Sequence, residues 1–405
     1  MHYDQIIKNT VTKNNSKIVL IVMDGIGDIR STELDDKTPL EYAHTPNLDK
    51  LAKNSCLGRM YSVLPGITPG SGPGHLGLFG YDPTDIQIGR GVLEAVGIDF
   101  KLQDGDVASR CNFATRNDTD IITDRRAGRI PTETTITLCE KLKSIKEIDG
   151  VEIIIKPGMG HRFVTIFRSK DKKIGSNIND VDPLTEGKSP IPAKGNDPES
   201  SHLANVINKF IEKGYELIKN EHPANAFLMR GIASKPKLPS MRERYMLESA
   251  AIATYPMYRG IASLLGMTLL PAPDSIEGLF QTYADARQKY DFFFIHVKGT
   301  DQAGEDGDFH SKVKCIESVD KALPILLKNK PDVLAITGDH SSPCSMHSHS
   351  WHPVPLLIHS NFSGKDDVQV FHENACNIGG LGFFESKYLM GLLLANAKRL
   401  DKFGA

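Results

Sequence analysis

Several stretches of the chain are continuously apolar over five or six positions and stop at a carboxylate. Ile18-Val19-Leu20-Ile21-Val22-Met23 ends at Asp24-Gly25. Such a run predicts a strand buried on both faces, as in parallel sheets covered by helices. Phe292–Val297 and Val333–Thr337 repeat the pattern, the first ahead of Asp301 and the second ahead of Asp339-His340. Between them Val313, Ile316, Leu323 and Leu327 are spaced as one helix face. Val354-Pro355-Leu356-Leu357-Ile358 carries a proline near its start, which predicts an edge strand. Thr45-Pro46 ahead of Leu48, Leu51 and Ala52 predicts a helix start, with Thr as N-cap and Pro in the first turn. Strands alternating with helices predict an α/β fold with a doubly wound sheet.

The middle of the chain has a different rhythm. Ile153–Ile155 and Phe163–Phe167 flank Pro157-Gly158-Met159-Gly160, the pattern of a β-hairpin with a loop. Leu203, Val206, Ile207 and Phe210 form a helical stripe. Residues 177–201 are rich in Asp, Pro, Ser and Gly and predict a long loop. Residues 108–250 are therefore expected to form a smaller α+β domain, inserted into a sheet domain made of 1–107 and 251–405. No internal repeat or low-complexity tract interrupts this layout.

Composition narrows the function classes. The 405 residues are 40% hydrophobic and 24% charged, with net charge −2, which excludes nucleic-acid binding by bulk positive charge. The longest apolar run is about six residues, against the roughly 20 that a membrane helix needs. Met1–Lys17 is polar, which predicts no secretory leader. Cys56, Cys111, Cys139, Cys315, Cys344 and Cys376 stand singly, with no CxxC, as expected of free thiols in a reducing compartment. A cytoplasmic protein without nucleic-acid or membrane partners is the expectation, and the oligomeric state stays open. The 14 His and 35 Gly are clustered, with His347, His349 and His352 close after His340 and glycines crowding residues 66–80.

Those clusters carry the chemistry. In an open α/β sheet, ligands bind beyond the carboxyl ends of the strands. Asp24, Asp301 and Asp339 lie there, with His340, Glu305 and His349 following at short spacings. One aspartate after a strand is ordinarily a helix cap; three, with His and Glu beside them, predict a divalent-metal site. Ser71, in Thr68-Pro69-Gly70-Ser71-Gly72-Pro73-Gly74-His75-Leu76, reads alone as a capping residue. Beside a metal cluster it reads as a nucleophile at a helix N-terminus, where phosphate binds well. Asp124-Arg125-Arg126-Ala127-Gly128-Arg129, together with Arg162, Arg230, Arg259 and Lys298, offers cations for phosphate or carboxylate; the bland alternative for each is a solvated surface charge. Other motifs fail. Gly187-Lys188-Ser189 lacks the upstream P-loop glycine, because position 182 is Asp182. Gly25-Ile26-Gly27 lacks the third glycine of a dinucleotide fingerprint, because position 30 is Arg30. Cys344 beside the presumed metal site is read as structural.

Taken in order, Val22-Met23-Asp24-Gly25, Pro69-Gly70-Ser71, Gly74-His75-Leu76, Gly80-Tyr81-Asp82-Pro83, Thr300-Asp301, Thr337-Gly338-Asp339-His340, His349-Ser350 and Pro353-Val354-Pro355 form a set. With Asn112-Phe113-Ala114-Thr115 and 124–129, this set resembles the archaeal-type 2,3-bisphosphoglycerate-independent phosphoglycerate mutases of the alkaline phosphatase superfamily. The resemblance runs from about Ile18 to Ala405. It implies an alkaline-phosphatase-like sheet domain for catalysis and an inserted domain for substrate. It implies interconversion of 3-phosphoglycerate and 2-phosphoglycerate, in glycolysis and gluconeogenesis, without added 2,3-bisphosphoglycerate. Ser71 would be the phosphorylated serine. Asp24, Ser71, Asp339 and His340 would surround one divalent metal, and Asp301, Glu305 and His349 the other. Manganese leads, with magnesium, cobalt and zinc as alternatives. Asn112, Asp124, Arg125, Arg129, Arg162, Arg230, Arg259 and Lys298 would hold phosphoglycerate. The sequence departs from the archaeal pattern twice. Glu305 stands where His is usual, which favours a harder metal. Gly72-Pro73-Gly74 replaces the commoner Asp-Thr-Ala, which removes a side-chain role at position 72. A phosphatase, a phosphopentomutase-like enzyme and a homoserine-kinase-like enzyme share the same core and form the alternative reading.

Overall fold

The computed structural model describes residues 3–86, 88–171 and 173–404. The chain divides into two compact units, Met1–Gln87 with Leu238–Ala405, and Ile88–Lys237. The leading segment holds α1 (Tyr3–Thr10), β1 (Ile18–Met23), α2 (Pro39–Tyr42), α3 (Pro46–Ala52), β2 (Cys56–Tyr61) and α4 (Ser71–Leu78). The second unit holds α5 (Arg90–Gly97), β3 (Val107–Arg116), β4 (Ile122–Asp124), α6 (Thr132–Leu142), β5 (Glu147–Ile148), β6 (Val151–Pro157), β7 (Arg162–Ser169), α7 (Pro198–Ile218) and β8 (Ala226–Ser234). The returning segment begins with α8 (Met241–Tyr245), β9 (Ser249–Ile252), α9 (Pro256–Leu264), β10 (Thr268–Leu269) and α10 (Ile276–Ala286). It continues with β11 (Phe292–Val297), α11 (Gly299–Asp306), α12 (Phe309–Leu327), β12 (Val333–Thr337), β13 (Val354–Ser360), α13 (Glu373–Cys376), β14 (Gly382–Glu385) and α14 (Leu389–Asn396).

The first unit is built on an eight-stranded sheet in the order β10-β9-β11-β1-β12-β13-β2-β14. Its central strand β1 runs parallel to β11 and β12, pairing Ile18 with both Phe292 and Val333. All six β1 side chains are buried, as a strand covered on both faces requires. Val19, Ile21 and Met23 face a core shared with α10 and α12, while α4, α9 and α14 pack with one another and onto β9 and β12. The sheet is therefore doubly wound. β13 corrects the edge-strand expectation, for it lies inside the sheet, antiparallel to both β12 and β2. Pro355 is tolerated because it is the second residue of the strand, just ahead of the first partner of β12, Leu356↔Thr337. The helix at Thr45-Pro46 forms, although the Thr45 side chain makes no capping bond; Thr38, at the start of the preceding helix α2, makes a full capping box with Glu41.

The second unit is antiparallel. Its sheet runs β4-β3-β7-β6-β5, with β8 also paired to β3. Val107, Cys111 and Phe113 face a core with α6 and α7, so by strand alternation Arg110 and Asn112 face the other way. The expected hairpin is β6–β7. The expected loop ends earlier than residue 201, because Asp197 caps a helix that starts at Pro198. The expected boundaries at 107/108 and 250/251 also move. α5 packs on β3 and β8, which draws residues 88–107 into the second unit, and β9 pairs with β11, which draws 238–250 into the first. All six cysteines are free thiols, and no helix among the described residues is long and apolar enough to cross a membrane.

Candidate active site

Adjacent strands of the first unit deliver their carboxyl-end residues to one place. Asp24 follows β1, Asp339-His340 follows β12, and Asp301 sits in the first turn of α11, just after β11. One ligand atom from each of Asp24, Asp339 and His340 lies within 4.8 Å of the others, and the same holds for Asp301, His340 and His349. His340 Nε2 is 3.2 Å from Asp24 Oδ1, 3.3 Å from Asp339 Oδ2 and 3.8 Å from Asp301 Oδ1. His349 Nε2 is 3.6 Å from Asp301 Oδ1 and 3.7 Å from Glu305 Oε1. The two imidazoles stack, with centroids 3.6 Å apart. Gly25, in the left-handed region at φ +60°, turns the chain here; a Cβ would stand 2.6 Å from Ser342 Oγ and 2.8 Å from Asp301 Oδ1.

Hydrogen bonds fix the orientation of both rings. Ser342 Oγ donates to Asp301 Oδ1 at 2.6 Å, so its 3.1 Å contact with His340 Nδ1 must be accepted from that nitrogen. His349 Nδ1 donates to the Pro69 carbonyl at 2.9 Å. Each histidine thus turns Nε2 toward the carboxylates. Asp24 Oδ1, Asp339 Oδ2 and His340 Nε2 are buried without a hydrogen-bond partner. Burial alone would raise the Asp24 pKa, but His296 and His340 hold it well below the usual carboxylate range. Burial opposes protonation of His340 too, yet Asp339, Asp24 and Asp301 raise its pKa to about 9. Buried carboxylate oxygens gathered on one imidazole, with two of them left unpaired, form a group short of positive charge. Its oxygen and imidazole donors fit divalent cations.

Ser71 opens α4, with Gly70 as N-cap. The helix is held against the cluster at two points. His75 Nδ1 donates to the Ser71 carbonyl at 2.9 Å and lies 3.1 Å from Asp339 Oδ2, and any side chain at Gly74 would strike the Asp339 carbonyl. The Tyr258 hydroxyl donates to Asp24 Oδ2 at 2.5 Å and is hydrogen-bonded to Ser71. Burial, then Asp24 and Asp339, push the Tyr258 pKa up, so it remains a donor. Lys298 Nζ is 3.0 Å from Asp24 Oδ2 and also pairs with Asp301; these two carboxylates outweigh burial and raise its pKa above the usual lysine range.

The second unit has a basic face of its own. In the antiparallel registers Asn112 is opposite Arg162 and Arg110 is opposite Arg230. Nε of Arg110, Arg162 and Arg230 and Oδ1 of Asn112 are buried without a hydrogen-bond partner. Burial, with Arg230, Arg162 and Arg90 nearby, lowers the Arg110 pKa to about 10 against the opposing pull of Glu94, 3.9 Å away. Arg125 differs, since it forks onto buried Asp182 with bonds of 2.9 and 2.7 Å. Asp124 accepts from the backbone N–H groups of Arg126 and Gly128, and so shapes the turn that leads to Arg129.

A sequence model described as 2,3-bisphosphoglycerate-independent phosphoglycerate mutase matches residues 52–225. A protein of Aquifex aeolicus named as a probable mutase of this kind is 51% identical over 99% of this chain and 100% of its own. The chain belongs to this family. A second mutase so named, from Thermotoga neapolitana, is 49% identical over 98% of each chain. The solved cofactor-independent phosphoglycerate mutase of Thermoplasma acidophilum superposes with a TM-score of 0.76 at 29% identity, covering 94% of this chain and 100% of that one. A Pyrococcus horikoshii structure gives 0.82 at 29% identity, over 97% and 100%.

In this member of the phosphoglycerate mutase family, Asp24, Asp301, Asp339, His340 and His349 come together within the first unit, with Lys298 among them. Glu305 stands at the rim, half-exposed, within reach of His349 but outside the tight groups. Arg259 is on α9, next to Tyr258. Asn112, Arg162 and Arg230 share the basic face of the second unit, where Arg110 and Arg90 join them. Motif reading passed over Ser342, Tyr258 and Arg110. Tyr258 adjoins the singled-out Arg259, but nothing in the local sequence marks the other two.

Proposed function

We propose that this enzyme interconverts 3-phosphoglycerate and 2-phosphoglycerate, a step of glycolysis and gluconeogenesis in the cytoplasm, by way of a phosphoserine at Ser71. The observation that carries the reading is the pair of buried carboxylate–histidine groups sharing His340, beside a serine at a helix N-terminus. Asp24, Ser71, Asp339 and His340 would hold one divalent cation, and Asp301, Glu305 and His349 a second. Manganese is the first choice for both. When bound, such cations supply positive charge to a phosphoryl group and make a serine hydroxyl more acidic.

The chain's own groups do the rest. Ser71 Oγ attacks phosphorus and gives up its proton. The bond from phosphorus to the substrate oxygen breaks, and that oxygen takes a proton to become a glycerate hydroxyl. The N-terminus of α4 and the Lys298 ammonium favour the phosphoryl charge. The other glycerate hydroxyl then attacks the phosphoserine phosphorus, loses its proton and frees Ser71. The basic face of the second unit, with Asn112, Arg162 and Arg230, suits the negative charge of phosphoglycerate. Asp124 closes β4, Arg129 lies on the turn beyond it and Arg259 on α9; these complete the expected substrate contacts, whereas the Arg125 fork is taken up by Asp182. The test is a coupled assay of metal-loaded enzyme on 3-phosphoglycerate with no bisphosphoglycerate added. Formation of 2-phosphoglycerate is expected, and an absolute need for bisphosphoglycerate would contradict the reading.

A further inference from the structure

Lys312, on α12, is fully buried and far from the surface that lysines usually keep. Its ammonium meets three oxygens: Asp28 Oδ2 at 2.8 Å, the Ser342 carbonyl at 2.8 Å and the Gly27 carbonyl at 3.3 Å. Three donors and three acceptors match, which is the condition under which a buried charge is tolerated. The acceptors come from two separate segments. Gly27 and Asp28 lie in the turn that follows Asp24, and Ser342 lies in the loop that follows Asp339-His340. Asp28 Oδ2 also accepts from the Cys344 N–H at 3.1 Å, and the Ser342 N–H donates to the Gly27 carbonyl at 3.0 Å. Gly27 is packed so closely on Ser341 that no Cβ could fit. From this clamp one contact leads into the site. Ser342 Oγ donates to Asp301 and accepts from His340. Lys312 itself is bonded to none of the proposed metal ligands.

We propose that Lys312 is a positioning residue of the metal centre. Its ammonium acts as a built-in structural cation that locks the turn after β1 to the loop after β12. That lock sets Ser342, and through it the side-chain oxygen of Asp301 and the ring orientation of His340. This rests on the two-cation reading of the site. A lysine with a merely structural role would affect folding alone; a positioning lysine also sets metal affinity and ligand geometry.

The test uses full-length, metal-stripped protein titrated with Co²⁺, read by calorimetry and by the visible cobalt spectrum, with the thermal midpoint of each stripped variant recorded. The variants are Lys312→Met, the double variant Asp28→Asn/Lys312→Met, and Leu326→Ala, a core truncation on the same helix. Lys312→Met is expected to weaken Co²⁺ binding roughly 10-fold or more, as removal of groups that orient metal ligands generally does, and to alter the spectrum. Should it fail to fold, the double variant, which removes both buried charges, carries the same expectation. Leu326→Ala should lower the midpoint yet keep wild-type affinity and spectrum. Wild-type affinity and spectrum in a folded Lys312→Met or double variant would overturn the proposal while leaving the two-cation reading intact. Failure of the wild-type protein to bind Co²⁺ would overturn that reading, and the proposal with it.

Discussion

The two units carry opposite deficits. In the first, the unsatisfied buried atoms of the site include acceptors, Asp24 Oδ1 and Asp339 Oδ2, which face His340 Nε2 at 3.2 and 3.3 Å, with His75 also near Asp339, while Lys298 and Tyr258 are engaged by Asp24 Oδ2. In the second they are mainly arginine donors, Nε of Arg110, Arg162 and Arg230 beside Asn112 Oδ1, with Glu94 at the margin of reach. Buried polar atoms are seldom left without partners, so each deficit points to the occupant that ends it. One region is short of cations and the other of anions. Elsewhere in the second unit the same residue types are fully paired, Arg125 with Asp182 and Arg168 with Asp106. The contrast separates arginines whose forks are paired within the fold from arginines whose Nε is left unpaired. A net charge of −2 over the whole chain does not reveal this local contrast.

Substitutions can break this contrast. The largest effect is expected from Asp339→Asn, which removes charge from the acceptor-rich cluster. Cations at such a centre contribute several kcal/mol to the transition state, so kcat/KM should fall roughly 1000-fold or more, along with metal affinity. Calorimetry with Mn²⁺ and the coupled assay check both. Arg110→Met should act differently, raising KM for phosphoglycerate about 10- to 100-fold, the worth of a charged hydrogen bond, with Mn²⁺ affinity unchanged. An equal loss of metal affinity would erase the distinction between the regions. Arg125→Ala should cost about 3 kcal/mol of unfolding free energy in urea, because Asp182 is left buried without its partner, and should affect KM less than Arg110→Met does.

A smaller effect comes from a buried acid outside both regions. Burial pushes the Glu373 carboxyl up to about 7, although the Thr38 hydroxyl bond opposes the rise. The folded state therefore holds this proton more tightly than the unfolded chain. That stability is complete below the ordinary value near 4.5 and is lost as pH rises through 7. On the order of 2 kcal/mol should disappear between about pH 5 and pH 8, and Glu373→Gln should flatten that part of the stability–pH curve.

Much of the first unit could be read from sequence because its physics is local. A strand buried on both faces is dominated by apolar residues, so β1, β11 and β12 announce themselves, and the few residues that follow each fall at the ligand end of the sheet. That is why Asp24, Asp301, Asp339 and His340 were legible. What escaped depends on tertiary register. Lys312 looks like one more polar position on an amphipathic helix, and only packing against the turns at Gly27 and Ser342 gives it a role. Arg110 alternates with Cys111 in a strand and so reads as an outward surface residue; its neighbours Arg162 and Arg230 come from strands 50 and more residues away. Arg125, in the conspicuous run at 124–129, drew attention that its bond to Asp182 redirects. Pro355 pointed to an edge because proline lacks a donor, but its place near the strand start made an interior position possible.

The central claim is that Ser71 carries the phosphoryl group between the two hydroxyls of glycerate. The direct measurement is mass spectrometry of Mn²⁺-loaded enzyme, quenched during turnover of 3-phosphoglycerate and digested. The account predicts one phosphoryl group, on the peptide containing Ser71, and neither phosphopeptide nor mutase activity in Ser71→Ala. Undiminished mutase turnover by Ser71→Ala, or a phosphoryl group trapped on another residue in its place, would contradict it.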